Sequence, residues 1–335
     1  MPELRLKPAM RPRPITWIRH ILLLLLTLLT STIAGVLVPF GFIEFGSGAD
    51  PQTFSEFVEL LPSIPFAYGG LLTETVGILL KDPDALTYGL SFSCSLLFIL
   101  IAHEMGHYIA CRVYRVDATL PYFIPTPPLI GPAGTLGAFI RIVSPMPSRR
   151  AVFDIGVAGP IAGFVALLPI SILMIMTLES TAPLAAAEGV SQIVFSDPLL
   201  IKLLAYIKGI DLALPILPNP FYAATWVGLL VTALNLIPSG QLDGGHAIFA
   251  VFGARFHRNT GRIAFVLMSA LSVLGLYLYN SPSGFLFAVV LGVMMRIRHP
   301  EPITNVPLDK KRIAVAILTL IIFVLCFVPF PIQLS

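Results

Sequence analysis

Charge is what this sequence has little of. Only 12% of its 335 residues are Asp, Glu, Lys or Arg, while 56% are hydrophobic; a soluble domain carries about 25% charged residues. So few charges cannot cover a water-exposed surface, which excludes a disordered chain and an ordinary cytosolic globule. The net charge of +3 is too small to point to nucleic acid, and no nucleic-acid partner is expected. Cysteine is scarce too. Cys94, Cys111 and Cys326 cannot build a disulfide framework, and no second cysteine pair follows to make a zinc knuckle. No fixed-period repeat is visible, and no segment is long enough for an appended soluble domain of ordinary size. What the sequence does have is long apolar runs, with 30 prolines and 26 glycines that imply broken or looped backbone between and within them. The expected fold class is an all-α polytopic membrane protein.

The first run, residues 18–38, is long enough to cross a bilayer at about 1.5 Å per residue. It follows a basic arm with Arg5, Lys7, Arg11, Arg13 and Arg19. A cleaved signal peptide is the competing reading, but the run is long for one and lacks a good small-residue cleavage site. Residues 41–87 carry Glu44, Asp50, Glu56, Glu59, Glu74, Asp82 and Asp84 against the single base Lys81, so this segment is expected outside the cytoplasm. Within it, 64–80 suits an interfacial or a short re-entrant piece. Further runs follow at 88–113, 152–178, 221–237, 263–279, 285–295 and 313–330. Arg112, Arg115, Arg141, Arg149 and Arg150, then Arg255, Arg258 and Arg262, then the loop 296–312 all fall on one side of a seven-span chain with its amino terminus in the cytoplasm. The division expected is a basic cytoplasmic arm (1–17), a first span with an external acidic segment (18–87), and a core (88–330).

Inside the second run sits His103-Glu104-Met105-Gly106-His107. An ionisable residue at bilayer depth costs about 2.5–3.5 kcal/mol on insertion scales, and three within one and a half turns need a reason. On a helix, i and i+4 share a face, so His103 and His107 can grip one ion. Glu104, about 100° round the helix, reaches a water on that ion without taking a ligand position. The alternative is a satisfied interhelical hydrogen-bond cluster. A hydrolytic zinc usually takes three protein ligands and leaves one position open. Asp243 is the candidate for the third. It follows Pro238, which cannot continue the helical ladder, in Leu234-Asn235-Leu236-Ile237-Pro238-Ser239-Gly240-Gln241-Leu242-Asp243-Gly244-Gly245-His246. Irregular backbone at membrane depth is tolerated where it lines a wet cavity. Alone, Asp-Gly-Gly reads as a turn. Asn235 suits either a substrate carbonyl or oxyanion or a bond to a neighbouring helix. His246 reads as an interfacial histidine or a partner behind the ligands, and His20, His257 and His299 as solvated. Residues 131–140, including Gly134, Thr135, Leu136 and Gly137, read as a re-entrant β-hairpin or extended strand whose edge can pair with an unwound substrate; a packing loop is the alternative. Gly159-x-x-x-Gly163 reads as helix packing.

HEMGH in one span with LNLIPSGQLDGG in a later one resembles the site-2 protease family, the M50 intramembrane zinc metalloproteases. The stretches GTLGAFIRI from Gly134, SRRAVFDIGVAGPIAG from Ser148 and LPYFIP from Leu120 are similar to its plant and cyanobacterial EGY-like branch. The resemblance covers most of 88–330. It implies one zinc ion per chain held by His103, His107 and Asp243, with Glu104 as catalytic acid/base. It implies cleavage of single-span membrane proteins in or near their membrane segments. Members with PDZ or CBS domains exist, and this chain shows room for neither. The expected location is a bacterial inner membrane, with the site near the cytoplasmic side. A metal-ion transporter and an inert membrane scaffold are the rivals; polar residues converging on one level without a repeat speak against the first, and the full ligand and base set against the second.

Overall fold

The computed structural model describes residues 13–44, 53–129, 132–180, 193–297 and 301–334. Most of the basic arm (Arg5, Lys7 and Arg11), Asp50, Gly131 and His299 lie outside them. In chain order the elements are α1 (Pro14–Val36), α2 (Phe54–Leu60), α3 (Ile64–Lys81), α4 (Pro83–Val113), β1 (Tyr122–Pro125), β2 (Thr135–Phe139), α5 (Arg149–Thr177), β3 (Ile193–Phe195), α6 (Leu199–Lys208), α7 (Pro220–Leu236), α8 (Asp243–Phe252), α9 (Ala254–Tyr279), α10 (Ser283–Met294), α11 (Lys310–Cys326) and β4 (Ile332–Leu334). Among the described residues four helices, α1, α4, α5 and α9, are long and apolar enough to cross a membrane. The others are shorter. α10 has 12 residues, about 18 Å of helix against an apolar layer of about 30 Å. Residues 64–80 form the 18-residue α3.

Helix α4 is the hub, packed against α1, α5 and α7. Its start is set by Asp82, whose carboxylate accepts from the Asp84 and Ala85 amides ahead of Pro83 at the first helical position. It crosses α1 closely because Gly35 leaves its Cβ space to the Phe92 ring and Gly89 lies on the Thr32 carbonyl; Thr32 and Ser93 then share a buried hydrogen bond of 2.8 Å. Phe92, Leu96 and Leu100 pack with Leu167, Met174, Trp226 and Leu229 in the main core. A second core, around Cys111, Val116, Phe153 and Phe249, lies at the arginine-rich end. Cys111 and Cys326 are buried free thiols and serve as packing.

The expected hairpin is present. β1 and β2 are antiparallel, with Tyr122 opposite Phe139, Phe123 opposite Ala138 and a bulge before Pro125. Thr119 N–H donates to Arg141 and Val143 N–H to Asp117, which prolongs the ribbon. His20 of α1 is buried, contrary to the solvated reading: its Nδ1 lies 2.7 Å from the Pro121 carbonyl and its ring 4.1 Å from that of Tyr122. It ties the β1 side of the ribbon to α1 and leaves β2 on the outer edge. His257 is also engaged, with Nε2 2.9 Å from the Gly240 carbonyl.

Three helices are knotted at the arginine-rich end. Arg312 of α11 makes a forked pair with Asp154 of α5, at 2.9 Å through Nε and 2.6 Å through Nη2. It also reaches Asp309 and, at 3.1 Å, the Tyr114 hydroxyl beyond α4. Asp309 caps α11 by accepting from the Arg312 amide, and that bond holds its carboxyl below the ordinary carboxylate range. Removing the guanidinium takes the charge partner from the half-buried Asp154 carboxylate and leaves it the Tyr114 hydroxyl alone. Arg312→Gln is expected to cost about 2 kcal/mol, read as a lower thermal midpoint in detergent, with Arg312→Lys intermediate because it keeps the charge and loses the fork.

Candidate metal centre

Three side chains converge on one point. His103 and His107 stand one turn apart on α4, both buried. Their Nε2 atoms are 3.2 Å apart. Asp243 is the first residue of α8, and its two oxygens lie 3.2 Å from His103 Nε2 and 3.3 Å from His107 Nε2. Among the described residues this is the group of His, Cys, Asp and Glu able to hold a metal ion.

The donor set fits zinc. Ligand atoms of a tetrahedron with arms of about 2.0–2.1 Å are separated by about 3.3–3.4 Å, close to the 3.2 Å between the imidazole nitrogens and to the 3.2 and 3.3 Å at which each meets one of the two Asp243 oxygens. The tautomer fits as well. His107 Nδ1 lies 2.7 Å from the Ile155 carbonyl, so the proton sits on Nδ1 and the Nε2 lone pair is directed at the shared point. The lone-pair-bearing atoms of three side chains facing one another in an apolar bundle repel unless a cation lies between them.

The backbone that delivers Asp243 is built for close approach. Helix α7 ends at Leu236 ahead of Pro238, the chain turns, and α8 folds back at once. A Cβ on Gly244 would land on the Leu236 carbonyl, and one on Gly245 on the Gly240 carbonyl, so both positions admit only glycine. The far end of α8 is held by Arg149 of α5, whose guanidinium donates to the Ala250 and Val251 carbonyls, the latter at 2.9 Å. These are orphan carbonyls of the last turn, and a cation there is doubly favourable.

A cavity of about 660 Å³ opens beside the three ligands. Glu104, only 7% exposed, faces into it and accepts from the Ile140 backbone amide. Asn235 lines it with its amide nitrogen 3.5 Å from His103 Nε2. His246, three residues after Asp243, also lines it and packs over Gly156, so it stands behind the ligands and is no plain interfacial histidine. On the opposite wall run residues 138–142, the end of β2 and its continuation. The segment 134–137 does not reach the cavity. Gly134 lies against the Thr30 backbone of α1, Thr135 is buried and bonded to the Ile124 carbonyl at 3.0 Å, and Leu136 is exposed. Gly137 takes a positive φ of 90°. The ribbon is oriented so that its stretch nearest the ligands begins at Ala138.

Residues 91–277 match the family model Peptidase family M50, a span that contains every residue just described around the ligands. This chain belongs to peptidase family M50. The match extends over more than half of the chain. Among curated proteins, the M50 chain is 31% identical over 274 residues to "Probable zinc metalloprotease EGY1, chloroplastic" of Arabidopsis thaliana, covering 80% of this chain and 46% of that protein. It is 29% identical over 331 residues to the Oryza sativa subsp. japonica protein of the same name, covering 95% and 52%. It is 29% identical over 318 residues to "Probable zinc metalloprotease EGY2, chloroplastic" of Arabidopsis thaliana, covering 88% and 52%. The chain thus spans about half the length of these relatives.

One part of the M50 site is not apparent from the sequence. Gly156, Gly159 and Gly163 share a face of α5 at i, i+3 and i+7. A Cβ at Gly159 would land on His107 Nε2, the atom turned to the ligand point, while one at Gly163 would meet His103 Cβ at 3.1 Å and its Nδ1 at 3.2 Å. Reading Gly159-x-x-x-Gly163 as helix packing is correct as far as it goes, but what packs there is the pair of imidazoles. Gly106, inside HEMGH, repeats the device from the other side, lying against the Ala158 carbonyl. The signal available in the sequence is the period of small residues, which says only that something approaches closely. Gly159→Ala is expected to weaken zinc retention by about 10–100-fold, as displaced ligand supports do, in a chelator competition with helicity unchanged. Gly163→Ala, with its looser contact, should lose less.

Proposed function

We propose that this M50 chain is an intramembrane zinc metalloprotease, cutting peptide bonds within or near the membrane segments of single-span membrane proteins. The observation that carries the reading is the meeting of His103, His107 and Asp243 on one point with Glu104 beside it in a cavity. In this reading one zinc ion per chain is held by His103 Nε2, His107 Nε2 and Asp243. When bound, zinc supplies Lewis acidity, drawing the pKa of water towards about 7 and polarising a peptide carbonyl.

The chain's own residues do the rest. Glu104 takes the proton of the attacking water as general base and returns it to the departing amine nitrogen. The Ile140 amide keeps its carboxylate turned to the cavity. Asn235, on the cavity wall near His103, donates its amide to the carbonyl oxygen as negative charge develops there. A substrate helix must open before its carbonyls can react, because they are already hydrogen-bonded. The outer edge of the ribbon, continuing through 138–142 along the cavity wall, offers backbone groups to such an unwound stretch. Gly134 to Gly137 would then act through the course of the ribbon, with Leu136 as the exposed contact.

We infer seven spans, α1, α4, α5, α7, α9, α10 and α11, with the amino terminus cytoplasmic. Contacts between distant segments support this by parity. β3 pairs with β4, so an even number of crossings separates 195 from 332. Arg149 N–H donates to Thr304, so an even number separates those residues too. A returning α9–α10 pair meets both conditions. The arginine distribution supports the orientation, and the metal centre then lies near the cytoplasmic face, where water can enter. The three-part division of the chain follows the same scheme, with 88–330 as the proteolytic core. The relatives' names carry the word chloroplastic and lend no support to the expected bacterial inner membrane; immunodetection in fractionated membranes of the source cell decides the compartment.

Glu104→Gln separates the protease from a transporter or a scaffold. The variant should retain zinc in metal analysis yet cleave a reconstituted single-span substrate at least about 10²–10⁴-fold more slowly; undiminished cleavage would refute the assignment. Asn235→Ala is expected to lower kcat by about 10²–10³-fold with little change in KM. A change confined to KM would assign Asn235 to ground-state binding.

A further inference from the structure

A second cavity, of about 590 Å³, lies at the arginine-rich end, lined by Gly240 of the turn that leads to Asp243 and sharing Glu301 with the metal-centre cavity. Its cationic side chains are Arg258 and Arg262, one turn apart on α9, with His257 beside them. Among the described residues neither arginine forms an ion pair. Glu301 is the acid in the lining, so two fixed positive charges stand against one negative. The remaining wall is apolar, with Phe249, Met295 and Ile297.

The surface below the arginines narrows the ligand. Helix α9 is the least buried of the four long apolar helices, at 22% over its most apolar stretch. The helix face that begins at Arg258 and Arg262 continues at i+4 and i+3 steps through Val266, Ala270 and Val273, all exposed, the two valines by 64% and 63%. Two guanidinium groups therefore sit at the head of an uncovered apolar track whose far end, Val273, lies about 17 Å along the helix from Arg262. A free phosphate would use the first feature and ignore the second. An anionic amphiphile uses both.

We propose that this cavity binds the phosphate-bearing headgroup of an anionic glycerophospholipid, with the guanidinium groups of Arg258 and Arg262 on the phosphate oxygens and an acyl chain along the Val266–Val273 face of α9. Guanidinium groups match phosphate oxygens in geometry and charge. The site is joined to the turn that delivers Asp243, because His257 holds the Gly240 carbonyl and the unsubstituted Cα of Gly261 faces Ser239, where an added Cβ would stand 3.4 Å from its hydroxyl. The binding itself needs no proteolysis and stands apart from the proposed activity.

The full chain in nanodiscs of mixed phosphatidylcholine and phosphatidylglycerol, analysed for retained lipid by native mass spectrometry, tests this. Two surface cations favour an anionic over a neutral headgroup by about thirtyfold, and the unaltered chain is expected to retain phosphatidylglycerol by about that factor. Arg258→Gln with Arg262→Gln should bring the ratio near one, and the double lysine variant should recover part of it. Arg255→Gln removes a neighbouring charge that does not line the cavity and should leave the preference in place. Equal loss in Arg255→Gln would mean diffuse interfacial charge and overturn the site. So would the absence of any preference, or displacement of the lipid by millimolar inorganic phosphate, which would mark a site for the free anion. The thermal midpoint of each variant separates lost binding from lost fold.

Discussion

Two imidazoles and a carboxylate, 3.2–3.3 Å apart, occupy the interior of an apolar helical bundle. The arrangement is tolerable only if something neutralises it, since unpaired polar groups at this depth cost several kcal/mol. A divalent cation does so, and the structure around the site reads as the means of keeping three donors where one ion can satisfy them. The Ile155 carbonyl fixes the His107 tautomer, the glycines of α5 clear room for both rings, and Arg149 anchors the helix that carries the carboxylate.

These supports come from different parts of the chain. Helix α5 contributes on both sides: its glycine face accommodates α4, while Arg149 at its start grips the end of α8. The spacing between histidines and aspartate is thus referred to a single rod. Helix α8 is short, with 10 residues, and is held against α5 by Phe249 and Ala250 in the second core, by the backbone contacts at Gly244 and Gly245 and by the cap at its other end. The Arg312 knot secures the same end of α5 against α4 and α11.

The ribbon has a distinct part. Its inner strand is fastened to α1 through His20, while its outer edge passes the ligands. A strand edge beside a water-accessible cavity is where an opened helix could recover its backbone bonds, so geometry that would be a liability on a soluble sheet is compatible here with the expected chemistry.

The mostly helical, apolar character of the fold, the three residues that meet at one point and the break after Leu236 were all legible in the chain. Hydropathy marks apolar helices directly, i, i+4 histidines share a face on any helix, and proline ends a helical ladder wherever it occurs. The hairpin was legible from its glycines and β-branched residues, though its register was not. Burial of His20 and the backbone bond of His257 were misread, because a histidine beside arginines looks solvated until a partner from another segment arrives; for His246 two readings stood open, and its seat against Gly156 exists only in the folded bundle. The same holds for the α5 glycines: periodicity announced close packing, and only the folded bundle showed that its object is the metal-facing imidazoles. Local pattern governs what each segment becomes; which side chains share a point depends on contacts between different helices and turns, and those exist only once the helices have packed.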